Sequence, residues 1–315
     1  MLRYFPFQQQ FNDKMGTMLL LPTDPLIEAD EHYGHEVQLK RRLLTEFPQY
    51  YYQSLPGYQT AQWEVLAMVL ESLVQHNPEH FCLTRPGHHW HWQNRLLNEE
   101  VVFTFGDAAS LPLEPLDWAG RQVQEDLLLL AGDEPHLVAG QLCFGNGWSL
   151  DEKLSLSFWN LHGPVSSIVK PMMQAAQKFM ERLPAGRPVW RLNWSLKLTD
   201  QLDLTSRHTA DLNQQLAELL PNLTPTNIGQ HLFVRIERQT LTRLPQSGAI
   251  LFGIHTYQNR LDNEAADPER ALRIGQVVST TPPAMLEYKG ITPFLEPLLA
   301  YLQLSVRELA EKSIH

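Results

Sequence analysis

The chain has 315 residues, 43% of them hydrophobic, enough for a substantial core without disulfide or metal staples. Its 25 Lys and Arg against 35 Asp and Glu leave a formal charge of -10, which argues against nucleic acid as a partner, since neutralising phosphates needs a basic surface. Two cysteines, Cys82 and Cys143, exclude a four-thiolate iron–sulfur or zinc site and a disulfide framework within the chain.

The N-terminal run Met1-Leu2-Arg3-Tyr4-Phe5-Pro6-Phe7 lacks a charged segment leading into an apolar one, and Met18-Leu19-Leu20-Leu21 is too short to span a bilayer. A cytoplasmic protein with no membrane partner and reduced thiols is expected. Between residues 60 and 76, Trp63, Leu66, Ala67, Leu70, Leu73 and Val74 recur at helical spacing, with Thr60 as N-cap and Asn77-Pro78 as stop. His88-His89-Trp90-His91-Trp92 then alternates as a strand does, and Val101–Phe105 forms a second strand ending at Gly106-Asp107. A helix is expected around residues 117–130. Leu137–Phe144 reads as a further strand and Gly145-Asn146-Gly147 as its turn.

Ser149 and Glu152 have capping-box spacing, opening a short helical region that glycine and proline stop at Leu161-His162-Gly163-Pro164. Pro171–Leu183 is an amphipathic helix. The strand Arg187–Leu196 puts Arg191, Asn193 and Ser195 on one face and Trp190, Leu192 and Trp194 on the other. After an irregular polar stretch, Val234–Gly248 reads as one arm and the turn of a β-hairpin. Alternation sends Arg235, Glu237 and Gln239 to one face, and places Arg235 and Arg238 on opposite faces. The Ile250 strand and a largely helical segment from Pro268 complete the chain. Two apolar-backed strands, each offering Arg plus an acid or amide, suggest a polar cluster against a buried ligand.

This order gives an α+β fold: a PAS-like, mostly antiparallel sheet with inserted helices, flanked by N- and C-terminal helical segments. Without repeats or linkers, residues 1–315 read as one domain, with an N-terminal helical part (1–80), a core (81–262) and a C-terminal helical part (263–315). Gly145-x-Gly147 lacks the third glycine of a dinucleotide fingerprint, and no phosphate loop, His-Glu-x-x-His helix or Gly-x-Ser-x-Gly elbow occurs. His89 and His91 share a strand face, but two imidazoles without a nearby acid do not make a metal site. His162 ends a short helix beside Gly163 and Pro164, a position from which an imidazole can ligate haem iron or cap the helix.

Several stretches resemble the haem-dependent oxidative N-demethylase family. They are Gln124-Glu125-Asp126-Leu127, Leu137-Val138-Ala139-Gly140-x-Leu142-Cys143-Phe144-x-x-Gly147-Trp148-x-Leu150-x-Glu152-Lys153, His162-x-Pro164-Val165, Arg187-Pro188-Val189-x-Arg191-x-Asn193-Trp194, Arg235-x-Glu237-Arg238-Gln239-Thr240-Leu241-x-Arg243-Leu244-Pro245 and Tyr288-Lys289-Gly290. The resemblance runs from about Asp30 to Leu302.

The resemblance implies a PAS-like sheet binding haem b and an oxidoreductase of monooxygenase type. Its substrates would be a small secondary amine such as dimethylamine and O2, its products the primary amine and formaldehyde. It implies electrons from NADPH through separate flavin and iron–sulfur partners, since this chain carries neither site. His162 is implied as the iron ligand, with Trp148, Lys153, Pro164 and Trp194 in the cofactor site. Arg191, Asn193, Arg235, Glu237 and Arg238 are implied to serve the oxygen chemistry, deliver protons and orient the amine. Three positions depart from the family's usual residues: Gly145-Asn146 for Pro-Ser, Ser166 for proline and His255 for arginine. The first two are expected to loosen the ligand helix and the third to change the substrate. The alternative reading is a haem PAS sensor or binding module without turnover.

Overall fold

The computed structural model describes residues 1–14, 16–161 and 170–312. The N-terminal part holds β1 (Met18–Leu19), α1 (Tyr33–Glu46), α2 (Pro48–Tyr51), β2 (Tyr52–Ser54) and α3 (Gln59–His76). In α3, Trp63, Leu66, Leu70 and Leu73 of the expected stripe are buried, Ala67 and Val74 half-buried, and Asn77 is the C-cap, but Tyr58 occupies the N-cap without a side-chain bond and Thr60 lies inside the first turn. Next come β3 (Phe81–Thr84), β4 (His89–Asn94) and β5 (Glu99–Thr104), which form a separate three-stranded sheet rather than part of the main one. The reason lies in their aromatics: Trp90, Trp92, Phe81 and Phe103 form one apolar surface that packs with Trp63 of α3. The face that β4 turns outward carries His89 and His91, and His91 pairs with Glu100 at 2.7 Å across to β5. Among the described residues no cluster of His, Cys, Asp and Glu is arranged to hold a metal.

Where one helix was expected over 117–130, a short α4 (Pro115–Gly120) is followed by strand β6 (Asp126–Ala131). Leu127–Leu130 is an apolar run without alternation, so its period cannot distinguish a buried strand from a buried helix. Pairing decides it, because β7 (His136–Gln141) and β10 (Ile250–Arg260) flank β6 and bury all four leucines. Burial of each contributes about 1.5–3 kcal/mol.

Among the described residues, α5 (Leu150–Lys153), α6 (Phe158–Leu161) and α7 (Lys170–Arg182) lie between β7 and β8 (Val189–Lys197). Ser149 and Glu152 form the expected capping box, the Ser149 amide donating to Glu152 Oε2 at 3.3 Å. The polar stretch expected to be irregular contains α8 (Thr209–Leu219), whose half-buried Leu212, Leu216 and Leu219 recur at helical spacing among exposed residues. Then follow α9 (Ile228–His231), β9 (Phe233–Arg243), the β9–β10 hairpin, α10 (Leu261–Ala265), α11 (Pro268–Thr280), α12 (Pro283–Tyr288) and α13 (Leu295–Lys312).

The main sheet is antiparallel, in the order β1-β8-β9-β10-β6-β7-β2, so the N-terminal part supplies both edge strands. One face packs Trp194, Leu196, Val234, Ile236 and Tyr257 against the N-terminal residues and C-terminal helices, and Leu127, Leu129 and Leu251 against α3. The opposite face packs Leu128, Leu130, Val189, Leu241, Ile250 and Ile254 beneath α5–α7. Gly140 permits this approach, since a Cβ there would lie 2.7 Å from Leu128 and 3.1 Å from Leu150. Among the described residues no helix is long and apolar enough to cross a membrane.

Candidate active site

Register assembles the polar residues of the α5–α7 face. In the β8–β9 pair, Arg191 lies opposite Gln239, Asn193 opposite Glu237 and Ser195 opposite Arg235. Glu237, 7% exposed, accepts from Asn193 Nδ2 at 3.2 Å and Gln239 Nε2 at 2.9 Å on Oε2, and from Asn146 Nδ2 at 3.3 Å on Oε1. Asn146 reaches this carboxylate because the turn before α5 is tight: a Cβ on Gly145 would lie 2.8 Å from the Trp148 carbonyl oxygen. The Gly145-Asn146 turn therefore places an amide donor on Glu237.

Arg235 is wholly buried and spends its guanidinium on structure. It donates to the carbonyls of Leu202 at 3.0 Å and Phe144 at 2.5 Å and to Gln258 Oε1 at 2.9 Å, with its Nε 3.9 Å from Glu237. Arg191 is the opposite case. No hydrogen bond to it occurs among the described residues, and its Nε is buried without a partner. Burial lowers its pKa, and Glu237 opposes the shift.

Two lysines absent from the sequence-derived set complete the cluster. Lys197 continues the Arg191, Asn193, Ser195 face by one more alternation; burial, aided by Arg235, pulls its pKa down to about 8 against the pull of Glu237. Lys289, from the end of α12, donates to the Trp194 carbonyl at 2.7 Å and lies over the Trp194 ring at 4.3 Å. Burial brings its pKa to about 8 as well, with Glu237 raising it and Arg191 and Lys197 lowering it. Glu237 is thus the carboxylate acting on Arg191, Lys197 and Lys289, whereas Arg235 also feels Asp126 and Asp203. Removing an ion from water costs several kcal/mol, so three such cations around one carboxylate favour an added anion.

Two of the expected site residues lie across the sheet. Trp194 packs against Phe7 on the other face. Arg238 donates to the carbonyls of Pro25 and Leu26 and approaches Glu28 at 3.7 Å. His255, opposite Arg238 in the hairpin, is wholly buried there; its Nδ1 lies 3.1 Å from Glu125, and its Nε2 faces Asp30 at 3.5 Å, an ion-pair distance. Although burial opposes it, Glu125 and Asp30 lift its pKa to about 10, so the residue stands as an imidazolium. His255 thereby straps the N-terminal segment to the sheet and lies outside the Glu237 cluster.

Trp148 packs half-buried into the apolar cluster under α5–α7, and Lys153 is the last residue of α5. His162, Pro164 and Ser166 lie outside the described residues. Residues 19–299 match the sequence model for the haem-dependent oxidative N-demethylase, alpha subunit-like. The chain belongs to this family. An oxidative demethylase family named for haem requires an apolar slot and charges for two propionates. The face that supplies Val189, Leu241, Ile254, Trp148 and Phe158 beside the unpaired Arg191 Nε fits such a group.

Proposed function

We propose that this N-demethylase-like chain carries haem b and oxidatively demethylates a small secondary amine of dimethylamine type. One amine, one O2, two electrons and two protons give the primary amine, formaldehyde and water. Bound haem would supply oxygen activation. His162 is assigned as the residue that would hold the iron, and Arg191 with Lys197 as those that would hold the propionates, Glu237 being the carboxylate that acts on both among the described residues. The five strands β7-β6-β10-β9-β8 are read as the PAS-like sheet, with α5–α7 inserted between its second and third strands in sequence.

Glu237 is assigned to hold the substrate ammonium and accept its proton, oriented by the amides of Asn146, Asn193 and Gln239. Arg238 and Trp194 are left out of the reactive set because they lie across the sheet. With two cysteines and no dinucleotide fingerprint, electrons are assigned to a separate NADPH-dependent flavin and iron–sulfur partner. The observation that carries this reading is the orphaned Arg191 guanidinium nitrogen beside one carboxylate on an apolar sheet face.

The test is the absorption spectrum of wild type and His162→Ala after haem reconstitution, followed by O2 consumption and formaldehyde release with dimethylamine and a chemical electron donor. A Soret band altered by the substitution and amine-dependent formaldehyde are expected. No Soret band in wild type would overturn the haem assignment, and haem uptake without formaldehyde would favour a sensor.

A further inference from the structure

At the β1 edge of the main sheet a groove of about 460 Å³ runs between α7 and the β1–β8 pair, lined by Leu19, Lys178, Phe179, Arg182, Arg187 and Val189 among others. Three of these residues are cationic and no lining residue is acidic, in a chain whose formal charge is -10. Lys178, Arg182 and Arg187 are exposed, and none forms an ion pair among the described residues. The acid on the same helix, Glu181, accepts a hydrogen bond from Gln177 at 3.1 Å. Between the cations, Leu19, itself 47% exposed, joins Ala175, Phe179, Leu183, Pro184 and Val189 in an apolar floor.

An apolar centre with a charged rim has the make-up of a protein-binding surface rather than of a solvated edge. Its place also matters. Val189 and Leu183 on the groove wall belong to the same apolar cluster that floors the candidate haem site, so the groove is surface adjoining that site.

We propose that this cation-rimmed groove docks the electron-donating partner, an acidic protein carrying a one-electron iron–sulfur centre; this rests on the demethylase reading. The carrier gives up one electron per encounter. Two encounters supply the two electrons that, with two protons, reduce one atom of O2 to water while the other leaves in formaldehyde. Unpaired surface cations draw an acidic carrier in before contact, an effect that raises association rates by about 10- to 1000-fold and fades as salt screens it.

The test uses the haem-reconstituted full chain and a fluorescently labelled plant-type [2Fe–2S] ferredoxin as probe. Anisotropy would be followed at low and high ionic strength for wild type and for the K178E/R182E/R187E variant. Wild type is expected to bind with an affinity that falls with salt, and the variant to bind at least tenfold more weakly at low salt, with its salt dependence largely lost. Reduction by dithionite should be unchanged, and a Lys178→Arg, Arg182→Lys, Arg187→Lys variant should retain binding. Equal binding by wild type and charge-reversal variant, or no binding by wild type, overturns the docking site. So does self-association of wild type that the reversal abolishes, which would make the groove an interface between copies. Formaldehyde produced with a chemical reductant but no ferredoxin binding removes the docking site alone, whereas absence of haem uptake removes the demethylase reading and this inference with it.

Discussion

Replacing Glu237 by glutamine keeps the shape of the cluster and removes its one carboxylate. Oε2 accepts from the Asn193 and Gln239 amides, while Oε1 accepts from Asn146 and lies 3.9 Å from Arg235 Nε. Either orientation of a glutamine amide therefore sets its NH2 group against two nitrogen donors. Charge-assisted hydrogen bonds contribute about 1.5–3 kcal/mol each, and breaking a buried charge network costs about 3–5 kcal/mol, so a loss of about 3–5 kcal/mol is expected near pH 7. For a chain of this size that lowers Tm by about 5–10 °C, from roughly 2 °C per kcal/mol.

The sign of the pH dependence follows from the lysines. Their folded pKa values of about 8 lie below the ordinary 10.5, so between those values the unfolded chain binds more protons and stability rises with pH. Without Glu237 both amines shift lower still and discharge more readily, so the deficit is largest below about pH 8 and narrows above it. Thermal unfolding of both proteins from pH 6 to 9.5 reads this directly. A Tm within 2 °C of wild type at pH 7, or a deficit that does not narrow, would refute the electrostatic account. Formaldehyde turnover is expected to fall about 100-fold or more if Glu237 takes the amine proton.

Arg191→Gln should leave the Tm of the haem-free protein within about 2 °C, because among the described residues Arg191 has no hydrogen bond to lose, yet weaken haem uptake about tenfold in a Soret titration. Unchanged haem affinity would remove it from the propionate site. His255→Leu leaves Glu125 and Asp30 without their imidazolium and should cost about 3–5 kcal/mol by chemical denaturation, with the haem spectrum unaltered because the residue lies across the sheet. The stability His255 gives is fully present below its ordinary pKa of 6.5 and is lost as pH rises through about 10, so that loss should be missing from the variant. Lys289→Met strips the Trp194 carbonyl of its donor; hydrogen exchange in α12 should quicken, at a cost of about 1–2 kcal/mol, and unchanged exchange would mean that the clamp does not hold the C-terminal helices.

How much of the site was legible depended on period. A strand repeats every two residues, so the faces of Arg191-Asn193-Ser195 and Arg235-Glu237-Gln239 could be read directly, and continuing the same alternation would have included Lys197. Leu127–Leu130 offered no alternation, and its strand was fixed by partners on both sides. The separate β3–β5 sheet followed from where aromatic side chains found a surface to bury.

The linear order of residues thus determined the polar and apolar faces of β8 and β9, the capping box and the family to which the chain belongs, because each is written in local spacing or ordered motifs. Tertiary structure decided which faces met. It brought Lys289 to Trp194, carried Arg238 and His255 to the N-terminal segment, and placed Asn146 on Glu237. Such contacts join residues far apart in the chain, and the desolvation and charge that give them meaning exist only once the sheet has closed against its helices.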